Sequence, residues 1–512
     1  MALLNAVLVH LLLLALLVTD SSAAAGVKPA PYSMPFNLTA FPADFIFGAG
    51  SAAYQIEGAA KLYGRGPSIW DTFTKNHPEK ISDKSTGDVA VDFYHRYKSD
   101  IQIMKKIGVQ SFRFSISWSR VIPYGKISKG VNPLGVQFYN NLINELLANG
   151  IKPFVTLFHW DVPQALEDEY GGLLSPKFVN DYKAYADFCF QKFGDRVKYW
   201  VTLNEPGSVT MNAYTGGTFA PGRCSKYAGT CDAGNSGTEP YIVARHLILS
   251  HANAVEVYRK KYQGVQKGQI GITLATHWVE AATNTEANRK AAYRVIDFLF
   301  GWFLHPITHG DYPESLRTFV GVRLPKWTPA EVSLVKGSMD FLGLNYYTTQ
   351  YATHVLTVNP VNHSYYSDWH ATISTTKNGV YMGKPTALNW LVIYPKGLLQ
   401  ILLYVKATYN NPIIYITENG VADARNDSIP LNQALKDIDR VEYLRDHLLH
   451  VSKAIKEGVR VKGYYPWSFL DDFEWDAGYT VRFGMIYIDF KDNLKRHLKY
   501  SAYWFKRFLL VK

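Results

Sequence analysis

Tyr199-Trp200-Val201-Thr202-Leu203-Asn204-Glu205-Pro206 decides the reading of this chain, together with its counterpart Ile413-Ile414-Tyr415-Ile416-Thr417-Glu418-Asn419-Gly420. Each is a hydrophobic, β-favouring run with a glutamate directly behind it. Such a run reads as a buried strand of a parallel sheet. A carboxylate at the C-terminal end of a strand of that kind faces the mouth of a parallel α/β barrel, where the chemistry of such barrels is done.

The rest of the chain fits that frame. Strand-like apolar runs fall at 45–50, 111–115, 153–158, 199–204, 269–276, 341–347, 413–418 and 461–468, eight in all. Longer helical patterns alternate with them, which argues for βα units around a parallel sheet. Residues 91–108 carry apolar side chains at helical spacing and end in Gly. Residues 135–150 do the same, with Leu142, Leu146 and Leu147 predicted inward and Gly150 as the C-cap. Long irregular stretches at 216–239 and 349–385 lack the composition of linkers, so they read as loop insertions at the barrel mouth. No 20–50-residue repeat is present, which excludes a solenoid or propeller. The expectation is a single (β/α)8 barrel over residues 26–512, preceded by a leader.

That leader is residues 1–25. A short apolar core, residues 10–18, is followed by Ser21-Ser22-Ala23-Ala24-Ala25, the layout of a cleaved secretory signal, although no Lys or Arg precedes the core. No later stretch approaches the ~20 apolar residues of a membrane span. Sequons at Asn37, Asn362 and Asn426 agree with passage through the secretory pathway, toward apoplast, cell wall or vacuole. Of the three cysteines, Cys224 and Cys231 flank a short polar loop that a disulfide could close in an oxidising compartment. Cys189 lies in a helical pattern and reads as a buried thiol. The net charge of +11 is scattered over the chain with no basic stripe, so it argues for a solvated surface and not for nucleic acid.

Two carboxylates on one barrel mouth suit the cleavage of a glycosidic bond. One donates a proton, and the other attacks or activates water. Glu205 reads as the acid/base, for which burial or a nearby second carboxylate would raise the pKa. Glu418 reads as the nucleophile, with Arg113, set between Phe112 and Phe114, as a cation to support it. Other strand ends carry groups that a sugar uses. Gln55 follows the first strand, and His159 and Trp160 follow the third. Asn345 and Tyr347 end the sixth, while Trp467, Glu474 and Trp475 follow the eighth. Amides and carboxylates fork onto adjacent hydroxyls, and indoles stack on the apolar faces of pyranose rings. Singly each residue would more often be structural; their coincidence with successive strand ends makes the case.

The two glutamate segments resemble the T-x-N-E-P and [IV]-T-E-N-G signatures of family 1 glycoside hydrolases. The resemblance runs from about Phe41 to Leu509 and is closest to the plant β-glucosidases. It implies retention of anomeric configuration. It also implies a glycone-binding set of Gln55, His159, Asn204, Glu418, Glu474 and Trp467, a tyrosine bonded to the nucleophile at Tyr347, and an aglycone wall at Trp390. The chain departs from the family pattern at Gly207, where an aromatic is common, at Pro466, at Asp472, where Asn is usual, and at His277, often Asn. Gly207 and His277 are therefore expected to bear on the aglycone, with Gly207 opening space.

The reading is a β-glucosidase acting on cyanogenic, phenolic or isoflavonoid glucosides, with a small-molecule glycoside as its partner. A diglycosidase that removes a disaccharide as a unit is the near alternative. A glycoside-binding or storage protein is the alternative from another class, and the two intact glutamates argue against it. Myrosinase-like chemistry is disfavoured by Glu205 itself. A 6-phospho-glucosidase is disfavoured by the acidic loop carrying Asp471, Asp472 and Glu474. No metal cluster, phosphate-binding glycine loop or thiol nucleophile motif stands out, so no cofactor is expected. The reading is compatible with a homo-oligomer.

Overall fold

The computed structural model describes residues 36–359 and 361–510. The expected leader, residues 1–25, lies outside them. Eight strands form the barrel: β1 (Ile46–Gly50), β2 (Ser111–Ser115), β3 (Lys152–Phe158), β4 (Tyr199–Asn204), β5 (Gln269–Ala281), β6 (Phe341–His354), β7 (Ile414–Asn419) and β8 (Val461–Pro466). Each pairs in parallel with the next, and β8 pairs back onto β1 with Gly463 opposite Ile46, so the sheet has no open edge. Between or after the strands lie α1 (Phe93–Ile107), α2 (Pro133–Ala148), α3 (Lys177–Phe193), α4 (Glu239–Val257), α5 (Glu286–Ile296), α6 (Pro395–Thr408), α7 (Ile438–Lys456) and α8 (Tyr500–Leu510). This is the (β/α)8 barrel that the alternation predicts.

Local chemistry sets the helix ends. α1 buries Ile101, Met104 and Ile107 and stops at Gly108, whose φ of +91° lets its N–H reach back to Met104 and Lys105 carbonyls. Asn132 caps α2 by accepting from the Leu134 N–H, and Pro133 fills the first helical position. In α2, Leu142 and Leu146 are buried as expected, but Leu147 is exposed. One position past Leu146 is ~100° further round the helix, which turns Leu147 toward solvent. The C-cap is Asn149, not Gly150.

Two strands outrun their expected bounds. β5 and β6 continue past the barrel rim as a ladder that still pairs Ala281 with Ala352. Residues Ala371–Ser374 then add to β6 antiparallel. The predicted insertion at 349–385 thus begins as strand, because the Thr- and Tyr-rich run 346–351 keeps its β preference. The floor of the barrel is packed by rings: Phe154 lies 5.1–5.6 Å from Tyr199, Phe341, Tyr415 and Tyr465. Gly48 is needed there, because a Cβ would stand 2.1 Å from the Tyr465 ring. The interior is therefore closed below and open only at the C-terminal ends of the strands.

The loop after β4 contains the disulfide Cys224–Cys231, with Cα atoms 5.5 Å apart. Cys189 is a buried free thiol on α3. Among the described residues no helix is long and apolar enough to cross a membrane.

Candidate active site

Glu205 and Glu418 meet at the mouth. Glu205 is the residue after β4 and is 7% exposed. Its backbone turns into the left-handed region at φ +43°, and its N–H is held by the Thr273 carbonyl of β5 at 2.9 Å. Pro206 follows at once and cannot continue a strand ladder. The Glu205 carboxyl accepts from Asn345 Nδ2 at Oε1 (2.6 Å) and from Ser208 Oγ at Oε2 (2.7 Å). Both donors are neutral. Burial first, and the Glu418 charge second, raise its pKa to about 7.

Glu418, on β7, is held differently. Oε1 accepts from Arg113 Nη1 and Oε2 from the Tyr347 hydroxyl, each at 2.6 Å. Arg113 lies fully buried on β2. Its other terminal nitrogen donates to Asn204 Oδ1 at 2.6 Å, so one guanidinium braces both strand ends. Asn345 completes the frame: it bridges Asn204 (3.2 Å) and Glu205 and is itself held by Thr417 Oγ1 at 2.7 Å.

The remaining expected residues surround this pair. Asn204 Nδ2 donates to His159 Nε2 at 3.0 Å, which leaves the His159 Nδ1 proton buried and unpartnered. Burial and the nearby Arg113 charge push the His159 pKa well below its usual value, so the ring is neutral. Gln55 donates to the Phe473 carbonyl (2.9 Å) and to Glu474 (3.2 Å), and its own Oε1 is likewise buried without a partner. Buried polar atoms without partners are costly, and His159 is on the cavity lining, where a ligand hydroxyl would satisfy it. Trp467 and Trp475 both stack against His159, each at 5.9 Å. Burial, followed by the charges of Asp472 and Glu418, pushes the Glu474 carboxyl well above the usual carboxylate range.

Glu205, Glu418, His159, Tyr347, Trp467 and Glu474 line a cavity of about 370 Å³, with Gln55, Arg113 and Asn204 packed behind them, and Trp390, 42% exposed, extends it toward solvent. Expectations from sequence need two corrections here. Gly207 does not open the cavity: a Cβ there would meet the Leu299 carbonyl at 3.3 Å and the Phe303 ring at 3.4 Å, and the residue is not part of the lining. The acidic loop is also less acidic toward the cavity than it reads. Asp471 faces the other way, paired with Arg482 (2.6 Å) and Lys499 (2.7 Å). The carboxylates of this loop that reach the lining are Glu474 and Asp476.

Sequence reasoning missed other residues of the lining. Ser208 stands three residues after Glu205, a spacing that returns to the same side of a helical turn. Gln350 lies on the unforeseen extension of β6. Met211 comes from the helical turn that follows Glu205, Ile373 from the short strand Ala371–Ser374, and Phe219 and Leu388 from loops, segments too short or irregular to show a periodicity.

The Asn37 and Asn426 side chains accept from the hydroxyls of Thr39 (2.7 Å) and Ser428 (2.6 Å), while Asn362 is exposed.

Comparison with known proteins agrees with this geometry. The family model described as Glycosyl hydrolase family 1 matches residues 37–512. The chain is 53% identical over 488 residues to Beta-glucosidase 12 of Oryza sativa subsp. indica, covering 95% of this chain and 96% of that protein. It is 54% identical over 485 residues to Raucaffricine-O-beta-D-glucosidase of Rauvolfia serpentina, covering 91% of this chain and 90% of that one. A crystal structure of a rice beta-glucosidase superimposes with a TM-score of 0.91 at 48% identity, covering 93% of this chain and all of that one.

Proposed function

The chain belongs to glycosyl hydrolase family 1 and is an O-glycoside hydrolase, and from that premise we propose that it is a retaining β-glucosidase of plant secondary-metabolite glucosides, with Glu205 as acid/base and Glu418 as nucleophile. The observation that carries the assignment of roles is the asymmetry of the two carboxyls. Glu418 is gripped by a guanidinium and a phenol, donors that complement a negative charge. Glu205 is gripped by an amide and an alcohol, in a setting that keeps its proton to about pH 7.

The two steps follow. In the first, a Glu418 oxygen attacks the anomeric carbon as Glu205 gives its proton to the departing aglycone oxygen. Bond formation turns Glu418 into a neutral ester. One of the two causes that raise the Glu205 pKa, the Glu418 charge, is then gone. Glu205 becomes a stronger acid and stays deprotonated, as a base needs to be. In the second step it takes a proton from water, which attacks the same carbon from the face the aglycone left, and Glu418 is released. His159 Nδ1 and Gln55 Oε1 supply one donor and one acceptor to the glycone hydroxyls. Trp467 and Trp475 supply the apolar floor.

A secretory route, glycans at Asn37, Asn362 and Asn426, and the leader at residues 1–25 belong to this reading. The sequons and the disulfide Cys224–Cys231 support it. The test is proton NMR of the first product formed from an aryl β-D-glucoside. β-Glucose appearing before mutarotation is expected. α-Glucose as the first product would replace the covalent step with direct attack by water, and no release of sugar would favour a binding protein.

A further inference from the structure

Beside Trp390 the cavity holds a polar pair whose chemistry the proposed mechanism does not use. His277 lies on β5 and Gln350 on the outer part of β6, both on the cavity lining. The His277 Nδ1 is 3.1 Å from Gln350 Oε1. A carbonyl oxygen only accepts, so the proton of the imidazole sits on Nδ1 and Nε2 is left as a lone pair. Burial lowers the His277 pKa, which favours the neutral ring.

The orientation of the ring is fixed as well. His277 lies nearly parallel to Trp390, 8° between planes and 6.0 Å between centroids. Trp390 in turn stands edge-on to Tyr347, 6.0 Å away, and Tyr347 is bonded to Glu418. Tyr347, Trp390 and His277 therefore form a run of ring contacts that starts at the proposed nucleophile. A flat aglycone that lies along Trp390 has His277 beside it on the same cavity lining.

We propose that His277, locked by Gln350 and aligned by Trp390, is a specificity-determining residue that accepts a hydrogen bond from a hydroxyl group on a planar aromatic aglycone. The class of substrate is an aryl glucoside with a free hydroxyl on the part of the ring system remote from the glucosidic oxygen. The same position carrying a methyl ether or a carbonyl would set an acceptor against the Nε2 lone pair and is disfavoured. This inference rests on the β-glucosidase reading above and adds the chemistry of the aglycone to it.

The test compares pairs of aryl β-glucosides that differ only in a remote hydroxyl or its methyl ether, read as the ratio of kcat/KM within each pair. A net hydrogen bond of about 1 kcal/mol makes the expected preference for the free hydroxyl roughly five- to tenfold in at least one pair of suitable length. His277→Phe keeps a flat ring without the acceptor and is expected to bring that ratio close to one. Gln350→Leu releases the tautomer and is expected to reduce the ratio in the same direction, which provides an answer if the first variant does not fold. Wild-type ratios near one across the panel, or a preference that persists in folded His277→Phe or Gln350→Leu, would overturn the inference alone. An enzyme that cleaves no glucoside would overturn the proposed function and this inference with it.

Discussion

At the scale of the residue, Glu205 is held against its own preferences. Its φ of +43° belongs to a region that costs a non-glycine residue on the order of 1 kcal/mol or more, and its carboxyl is buried beside a second carboxyl. Such strain is found where positioning matters more than stability. Replacing Glu205 by Gln keeps shape and the bond from Asn345, reverses the Ser208 bond so that the amide donates to Oγ, and removes the transferable proton. The loss should be large for glucosides with basic leaving groups, about 10²-fold or more, and small for the first step with activated nitrophenyl glucosides. Equal losses across a leaving-group series would show that Glu205 is not the acid.

Ser208 gives a finer test. The acid works only while protonated, so activity should fall as pH rises through about 7. A hydroxyl that donates to Oε2 stabilises the ionised form and so lowers that pKa. Ser208→Ala removes the donor. The alkaline limb of kcat/KM should therefore move to higher pH, and Ser208→Thr should restore it. A limb that moves down, or does not move, would contradict the placement of this bond.

At the scale of the element, strand ends were legible because a buried strand has a plain composition and its C-terminal end has a fixed meaning in a barrel. His159, Asn204, Glu205, Glu418 and Trp467 lie on or just after such ends, Arg113, Asn345 and Tyr347 lie within strands beside them, and the carboxyls, Arg113 and Asn204 converge. Loops were not legible in the same way. Where the chain leaves the barrel, a side chain's direction depends on tertiary contacts that local sequence does not encode. That is why Gly207 read as an opening to the cavity although its α-carbon hydrogen points at Leu299 and Phe303.

The loop after β4 shows how much one such contact matters. Gly217 has a φ of +66°, and a Cβ there would lie 2.0 Å from Cys231 Sγ. Its carbonyl accepts from Lys80 Nζ at 2.5 Å. The disulfide thus packs on a glycine just before Phe219, which lines the cavity. Replacing Cys224 and Cys231 together by Ser should cost about 2 kcal/mol if the loop orders with the barrel. Limited proteolysis should then cut first between 224 and 231, and KM for bulky aglycones should rise more than kcat falls. Unchanged proteolysis and unchanged KM would mean that the loop holds its shape without the bond.

At the scale of the whole molecule, the barrel separates stability from chemistry. Rings around Phe154 fill its floor, while the carboxyls and polar side chains that line the cavity stand at its mouth. Removing the Phe154 ring should therefore cost about 3–5 kcal/mol in unfolding free energy while leaving the pH limbs of the surviving folded enzyme in place. A shift of the limbs would show that floor and mouth are coupled. The fold class could be read from eight runs and two glutamates, because βα alternation is repeated and redundant. The aglycone half could not, because it is assembled once, from the extensions of β5 and β6 and from loops with no repeat to average over.

The central claim is that Glu418 becomes covalently bound to the sugar. The direct measurement is mass spectrometry of the enzyme after incubation with an activated 2-deoxy-2-fluoro-β-glucoside, which slows release of the intermediate more than its formation. The expected result is one added fluoroglucosyl group per chain, mapped to the peptide containing Thr417-Glu418-Asn419 and lost when the enzyme turns over an acceptor. A label on any other residue, or an unlabelled enzyme that still hydrolyses aryl glucosides with retention, would contradict the account.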